Sequence, residues 1–92
     1  MVYQLSYELR STEKDYTPLF SFLEHNLHCE VKHVLRDCWW IAFSQDINVD
    51  DICAEIRNFL DEKDHFFVCQ LPSSEINGWM PSSIWKWYKA NK

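Results

Sequence analysis

The chain has 92 residues, of which 47% are hydrophobic and 16% aromatic, and its 14 acidic and 9 basic side chains give a net charge of −5. This length predicts a single domain, because a chain of this size buries roughly 60–65% of its unfolded surface and forms one modest core. One Gly and three Pro exclude a flexible linker and a glycine-rich phosphate loop, and the acidic balance disfavours a nucleic-acid partner.

The cysteines and the N-terminus indicate a cellular setting. The chain opens without a basic stretch followed by an apolar run, and no segment approaches the ~20 apolar residues that span a bilayer. We therefore expect a soluble cytoplasmic protein with no membrane partner. The cysteines form no CxxC pair, which favours core thiols in a reducing compartment over a disulfide framework. They are Cys29, Cys38, Cys53 and Cys69.

The first stretch, MVYQLSYELR, alternates strictly and predicts a half-buried β-strand. One face carries Tyr3, Leu5, Tyr7 and Leu9, and the other carries Val2, Gln4, Ser6 and Glu8. Glu8 closes the strand on the more polar face. Its carboxylate is interpreted as a metal ligand, a general base, or a solvated strand end paired with Arg10 or Arg36.

The next segments predict a helix and a hairpin. The helix spans YTPLFSFLEHNL, with a start signal at Asp15 or at Thr17 and Pro18. Its apolar positions recur at helical spacing and are Tyr16, Leu19, Phe20, Leu23 and Leu27. CEVKHVL and CWWIAFSQ then read as two antiparallel strands joined at Arg36 and Asp37.

A second helix is predicted over NVDDICAEIRNFLDEK, with Asn48 as N-cap. Asp50, Asp51 and Glu55 favour the positive end of its dipole. HFFVCQL predicts a short, well-buried strand, and Asp64 before it is interpreted as a turn-forming or capping acid rather than a ligand. The tail NGWMPSSIWKWYKANK predicts a short helix from Pro81 that packs against the domain or against a second copy.

The element order predicts an α+β, ferredoxin-like fold. A β-α-β-β-α-β core over residues 1–75 forms a four-stranded antiparallel sheet with its helices on one face, and residues 76–92 form a Trp-rich C-terminal extension. The second sheet face is expected to stay uncovered and to mediate dimerisation or ligand contact.

Five features in this order resemble one family of small proteins. They are the run YxxSY(D/E)LR, DYxxL opening the first helix, a strand with Trp40, an Asp-initiated second helix ending near Asp61 and Asp64, and a Trp-rich tail. Over nearly the whole chain they resemble the SinR-like proteins, relatives of the CRISPR-associated adaptation protein that partners the integrase and of the virulence-associated D-type toxins.

The resemblance implies a ferredoxin-like homodimer built across the sheets, and in some members a metal-dependent nuclease. In those nucleases an Asp at the end of the first strand lies near the dimer axis and is associated with the metal. Glu8 stands at that position here. Glu is one methylene longer than Asp, and Mg²⁺ demands near-ideal octahedral geometry. Two Glu8 carboxylates about 4–6 Å apart would share a cation and raise one pKa by repulsion.

Two further patterns suggest binding. His28, Cys29 and His33 lie close in sequence, yet a structural zinc site needs four N or S ligands. Surface or partly satisfied side chains are therefore the favoured interpretation of the four histidines, which are His25, His28, His33 and His65. Bases and aromatics interleave in the tail, as in single-strand nucleic-acid binders, although a dimer or partner contact is favoured for such Trp residues. These candidate contacts are Trp85, Lys86, Trp87 and Lys89, together with Arg10 and Arg36.

Three functions follow as hypotheses. The first is a non-catalytic homodimeric interaction module from a phage, plasmid or bacterial defence setting, with no cofactor. The second is a Mg²⁺-dependent nuclease acting on RNA or DNA with Glu8 from two subunits. The third is an acidic regulator that binds a basic protein surface through Asp50, Asp51 and Glu55.

Overall fold

A computed structural model describes residues 1–25, 30–43 and 47–92. The elements in chain order are β1 (Val2–Glu8), α1 (Thr17–His25), β2 (Glu30–Leu35), β3 (Cys38–Ala42), α2 (Val49–Arg57), β4 (His65–Gln70) and α3 (Ser82–Asn91). The strands form one antiparallel sheet in the order β2-β3-β1-β4. The predicted α+β class with a four-stranded antiparallel sheet is confirmed, and the arrangement fits a ferredoxin-like type.

The main core lies between one sheet face and the helices α1 and α2. Alternation along β1 directs Leu5 and Tyr7 to this face, and helical spacing brings apolar side chains down onto it. The buried members are Leu5, Tyr7, Leu19, Phe22, Leu23, Trp39, Ile41, Ile52 and Ile56. Each such side chain stabilises the fold by about 1.5–3 kcal/mol when it is fully buried.

Helix α2 begins as predicted and ends earlier than predicted. The Asn48 side chain accepts a hydrogen bond from the Asp50 backbone N–H at 2.8 Å, which confirms the N-cap. After Arg57 the chain continues in tighter turns, since Phe59 N–H donates to Ile56 and Leu60 N–H to Arg57. Phe59 and Leu60 therefore still pack against the main core although the helix has ended.

A second core lies on the opposite sheet face, where α3 packs. Its buried members are Val2, Val34, Cys38, Trp40, Ala42, Ile84 and Tyr88. The Trp40 ring contacts Trp85 edge to face at 5.9 Å and Tyr88 at 5.4 Å. The tail thus packs against its own domain. The expectation of an uncovered sheet face is wrong for its β2–β3 half, because α3 removes these aromatic rings from water.

Strand β4 departs from its predicted burial. It lies at the edge of the sheet, with only β1 beside it, and Phe67 is 55% exposed. The prediction of a well-buried strand is wrong, because α3 covers the other half of the face and an edge strand has one strand neighbour instead of two.

Some predicted boundaries lie outside the described residues. These are the end of the first helix at Leu27, the start of the second strand at Cys29 and the end of the third strand at Gln45. Within the described residues, no helix is long and apolar enough to cross a membrane.

Candidate functional site

The strand end that carries Glu8 faces a shallow depression. Glu8 is the last residue of β1, and its direct partner across the antiparallel pair is His65, the first residue of β4. Both side chains lie on the sheet face opposite α1 and α2, and both are exposed. A depression of about 270 Å³ is lined by Ser6, Tyr7, Glu8, His65, Phe66 and Phe67. The site therefore combines a carboxylate, an imidazole and an exposed aromatic ring.

Glu8 forms an ion pair within its own chain. Arg10 Nε lies 3.3 Å from Glu8 Oε1, and both side chains are more than half exposed. Such a surface pair contributes about 0–1 kcal/mol. Glu8 is thus an exposed strand end paired with Arg10, as one of its three interpretations predicts.

A magnesium site does not fit these residues within a single chain. Among the residues that the structure describes, no group of three or more His, Cys, Asp or Glu side chains is arranged to hold a metal ion. Glu8 supplies one carboxylate, and its nearest charged partner is a guanidinium. A cation would have to compete with Arg10 for that single carboxylate, since both bind its oxygens.

Arg36 lies at the same end of the sheet as Glu8, and its backbone carbonyl is a hydrogen-bond acceptor there. It sits in the turn between β2 and β3, where its carbonyl accepts hydrogen bonds from the Tyr7 hydroxyl at 3.4 Å and the His33 ring at 3.0 Å. Trp39 Nε1 donates to the Tyr7 hydroxyl at 2.9 Å. The turn is thereby held against β1, while the Arg36 side chain stays exposed.

His33 has a structural role of its own. Its ring stacks on Trp39 with centroids 4.4 Å apart and an interplanar angle of 9°. The stack, together with the bond to the Arg36 carbonyl, holds the His33 ring at the hairpin. His28 and Cys29 lie outside the described residues.

Asp64 ties together the segments that flank the strand end. Its carboxylate accepts hydrogen bonds from the Tyr16 hydroxyl at 2.6 Å, the Arg10 backbone N–H at 2.7 Å and the Asp61 backbone N–H at 2.8 Å. These donors come from the connection after β1, the residue before α1 and the turn after α2. We name Asp64, Tyr16, Arg10 and Asp61 the Asp64 clip. The interpretation of Asp64 as a turn-forming acid is confirmed.

The clip favours the charged form of the carboxylate. Burial by itself would raise the pKa of Asp64, but hydrogen bonds from Tyr16 and from the backbone of Arg10, Asp61 and Ser11 outweigh it and lower the pKa below 3.8. The pKa of Tyr16 is raised, first by desolvation and then by its hydrogen bond to Asp64. At neutral pH the clip is therefore a charge-assisted network, in which hydrogen bonds are stronger than between neutral groups.

The predicted contact residues of the tail are not gathered at the strand end. Trp85 and Trp87 are half-buried and pack against the second core, whereas Lys86 and Lys89 are exposed on the outer side of α3. Arg10 and Arg36 lie with Glu8 at the far end of the sheet. At about 100° per residue, Trp85 and Trp87 flank the buried Ile84 and Tyr88 on either side of α3, which accounts for their half-burial.

An apolar cleft of about 290 Å³ opens beside the tail. Its lining includes Leu35, Trp40, Met80 and Trp85, and Trp79 stands at its margin. Trp79 is 100% exposed and Leu35 is 57% exposed. Contiguous apolar surface of this kind is typical of contact sites, and here Leu35 and Trp79 line one cleft.

Three acids of α2 form a separate surface. Asp50, Asp51 and Glu55 are all exposed, and we name them the acidic face. They lie on the outer side of α2, away from Ile52 and Ile56, which enter the main core.

The cysteines differ from one another. Cys38 is buried and Cys53 half-buried, and burial is the first cause that raises the pKa of both thiols. Cys69 is exposed on β4, so its prediction as a core thiol is wrong. The reason is that β4 lies at the edge of the sheet and α3 covers the other half of that face. All three are free thiols.

Sequence reasoning missed two members of the strand-end site. His65 was interpreted as a surface histidine and Phe67 as a buried strand residue. Topology was the available signal, because the ferredoxin-like order places the fourth strand beside the first. To predict that His65 lies directly opposite Glu8, one must also know the register between β1 and β4, and no local pattern in the sequence encodes that register.

Comparisons of this chain with protein-family models, with curated proteins and with solved structures find no match.

Proposed function

We propose that the chain is a non-catalytic homodimeric interaction module of ferredoxin-like fold, as its resemblance to the SinR-like and CRISPR-associated adaptation proteins implies, serving in a phage, plasmid or bacterial defence setting. The observation that carries the proposal is the exposure of Phe67 on an edge strand. An aromatic ring that is 55% exposed on a strand with a free edge favours contact with another chain.

Two further features support an interaction function. Trp79 and Leu35 expose a second apolar surface beside the tail cleft. Glu8, the candidate catalytic residue, is engaged by Arg10 at 3.3 Å. The ion pair makes Glu8 less available for catalysis, whereas the exposed apolar side chains remain available for contact with another chain.

The oligomeric state tests this proposal. We expect size-exclusion chromatography with light scattering to give twice the monomer mass of 11.2 kDa at tens of micromolar. A mass equal to one chain throughout that range would contradict the homodimer.

A phosphodiester nuclease is the second candidate, and the opposition of Glu8 and His65 favours it. An imidazole can serve as a general acid or base, and a carboxylate beside it can orient the ring. The two side chains share one depression open to solvent, which a single strand of RNA or DNA could enter.

Nuclease activity is tested with fluorescent RNA and DNA in the presence of Mg²⁺ or Mn²⁺. Glu8→Gln and His65→Gln are compared with Glu30→Gln, an exposed strand glutamate outside the depression. The interaction module predicts equal inertness of all four proteins, wild type included. Cleavage that Glu8→Gln abolishes and Glu30→Gln retains would establish the nuclease instead.

A further inference from the structure

The outer edge of β4 carries a row of backbone groups that have no hydrogen-bond partner among residues 1–25, 30–43 and 47–92. Leu71 N–H donates to the Val2 carbonyl at 2.8 Å, and hydrogen-bonded pairs alternate along an antiparallel ladder. The residues of β4 that bond to β1 are therefore His65, Phe67 and Cys69, in register with Glu8, Ser6 and Gln4. The alternate residues direct their N–H and C=O groups outward, and they are Phe66, Val68 and Gln70.

The two edges of the sheet are protected differently. The β2 edge carries Glu30 and Lys32 and has an irregularity between His33 and Leu35. Charges and bulges of this kind discourage pairing with another strand. The β4 edge, HFFVCQ, has no Lys, Arg, Asp, Glu or Pro, and its register with β1 is continuous from His65 to Gln70. Of the two edges that the described strands form, the β4 edge is therefore the more open to strand addition.

We propose that the occupant of this edge is a second copy of β4, paired antiparallel about a two-fold axis at Val68. This deepens the homodimer and rests on that proposed function. In this register Val68 faces Val68 of the second copy, and Phe66 faces Gln70 of the second copy, so all three outward residues are used. They form about six hydrogen bonds, two for each pair.

The register centred on Phe67 is poorer. It pairs Phe66 with Val68 of the second copy and gives about four hydrogen bonds. The next outward position is Asp64, whose N–H already donates to the Asp61 carbonyl at 3.0 Å. The Asp64 clip thus ends the pairing edge on that side and selects the Val68-centred register.

A second copy is favoured over an unrelated strand because β4 complements itself. The same three residues supply donors and acceptors on both sides of the axis. Since β4 has no acidic or basic residue apart from His65, two acidic chains meet without like charges facing across the strands. Phe67 then lies opposite Cys69 of the second copy and leaves the solvent.

This dimer excludes a cation shared by two Glu8 side chains. Glu8 pairs with His65, which lies about 10 Å along the strand from Val68 at the two-fold axis. Strand β1 lies about 7 Å to the side of that axis, so the two Glu8 Cα atoms of the dimer are about 25 Å apart. The β4 dimer and the two-subunit nuclease are thus mutually exclusive.

Cysteine cross-linking of the full chain tests the register. In Phe67→Cys, the new thiol lies opposite the native Cys69 of the second copy, at the close Cα spacing of about 4.5 Å found in non-hydrogen-bonded pairs. Cys69 lies about 8 Å from its own copy across the axis, beyond disulfide reach. We expect mild oxidation to give a covalent dimer, with a bond between positions 67 and 69 of different chains by peptide mass spectrometry. Wild type and Glu30→Cys on the opposite edge should give none.

A backbone variant provides an independent measurement. Gln70→Pro removes one outward N–H without removing a hydrogen bond to β1. Because the Gln70 side chain is exposed and Pro is tolerated on edge strands, we expect the variant to be a folded monomer. Circular dichroism should be unchanged and dimerisation at least about tenfold weaker, a loss of about 1.4 kcal/mol.

The outcomes separate this inference from the function on which it rests. If wild type is a dimer but Phe67→Cys links position 67 to position 67, or forms no disulfide, the Val68-centred pairing is overturned while the homodimer stays intact. A wild-type monomer at tens of micromolar would overturn both.

Discussion

Replacing Asp64 with Asn is expected to weaken the whole strand end, because it removes the charge from the Asp64 clip. The carboxylate is 9% exposed and accepts bonds from Tyr16, Arg10 and Asp61. Asn keeps one acceptor oxygen and places an NH₂ donor where a second acceptor stood. One backbone N–H then faces a donor in a buried setting.

The magnitude follows from the bonds that are lost. Hydrogen bonds to charged groups contribute about 1.5–3 kcal/mol, and an unsatisfied buried donor costs about 1–3 kcal/mol. Since the Tyr16 hydroxyl can rotate and accept from Asn, we expect a net loss of about 2–3 kcal/mol in the free energy of unfolding. For a domain of this size that corresponds to a fall in Tm of about 8–24 °C.

Urea unfolding followed by Trp fluorescence measures the loss. The midpoint should fall while the m-value stays constant. Asp61→Asn is the matched control, since the Asp61 carboxylate lies in the same turn and, within the described part of the chain, accepts a single hydrogen bond, from the Lys63 N–H at 3.2 Å. We expect the control to lose less than about 1 kcal/mol.

The pH dependence gives a second check with a defined sign. The pKa of Asp64 is lowered below 3.8 in the folded chain, so its stabilisation is fully present above the unfolded-state value and is lost as pH falls through the folded-state value. The difference between wild type and Asp64→Asn should be constant near neutral pH and shrink below about pH 4. A variant as stable as wild type, or a difference unchanged by acid, would refute the role of the charged carboxylate.

Three other outcomes are expected. Asn48→Ala removes the cap of α2 and should cost about 1 kcal/mol in chemical unfolding, whereas Asn48→Ser should restore most of it. Trp85→Ala leaves a gap beside Trp40 and should lower stability by about 2–3 kcal/mol, while Trp79→Ala, a fully exposed side chain, should stay within about 0.5 kcal/mol. If the chain is an acidic regulator, reversing the acidic face to Lys should abolish capture of its basic partner in a pull-down, and retention of the same partner would contradict that function.

Local patterns in the sequence determined the type and order of the elements. Alternation along β1 separates Leu5 from Glu8, and the helical spacing of Ile52 and Ile56 separates the core side of α2 from its acidic face. These periods are properties of a single segment, so they can be recognised without knowledge of its neighbours. The turn-forming part of the role of Asp64 was predictable for a similar reason, because the Asp61 backbone N–H that it accepts from lies in its own turn. Its bonds to Arg10 and Tyr16 join segments far apart in the chain and were not predictable from a local pattern.

The tertiary structure alone decided which surfaces are free. The tail pattern of Trp and Lys is equally compatible with a stacking platform and with an amphipathic helix, and only the packing of Trp85 on Trp40 distinguishes them. HFFVCQ is apolar enough for a central strand, yet its place at the edge leaves Phe67 in water. Strand order and register depend on contacts between segments far apart in the chain, as with Glu8 and His65, and no local period encodes them.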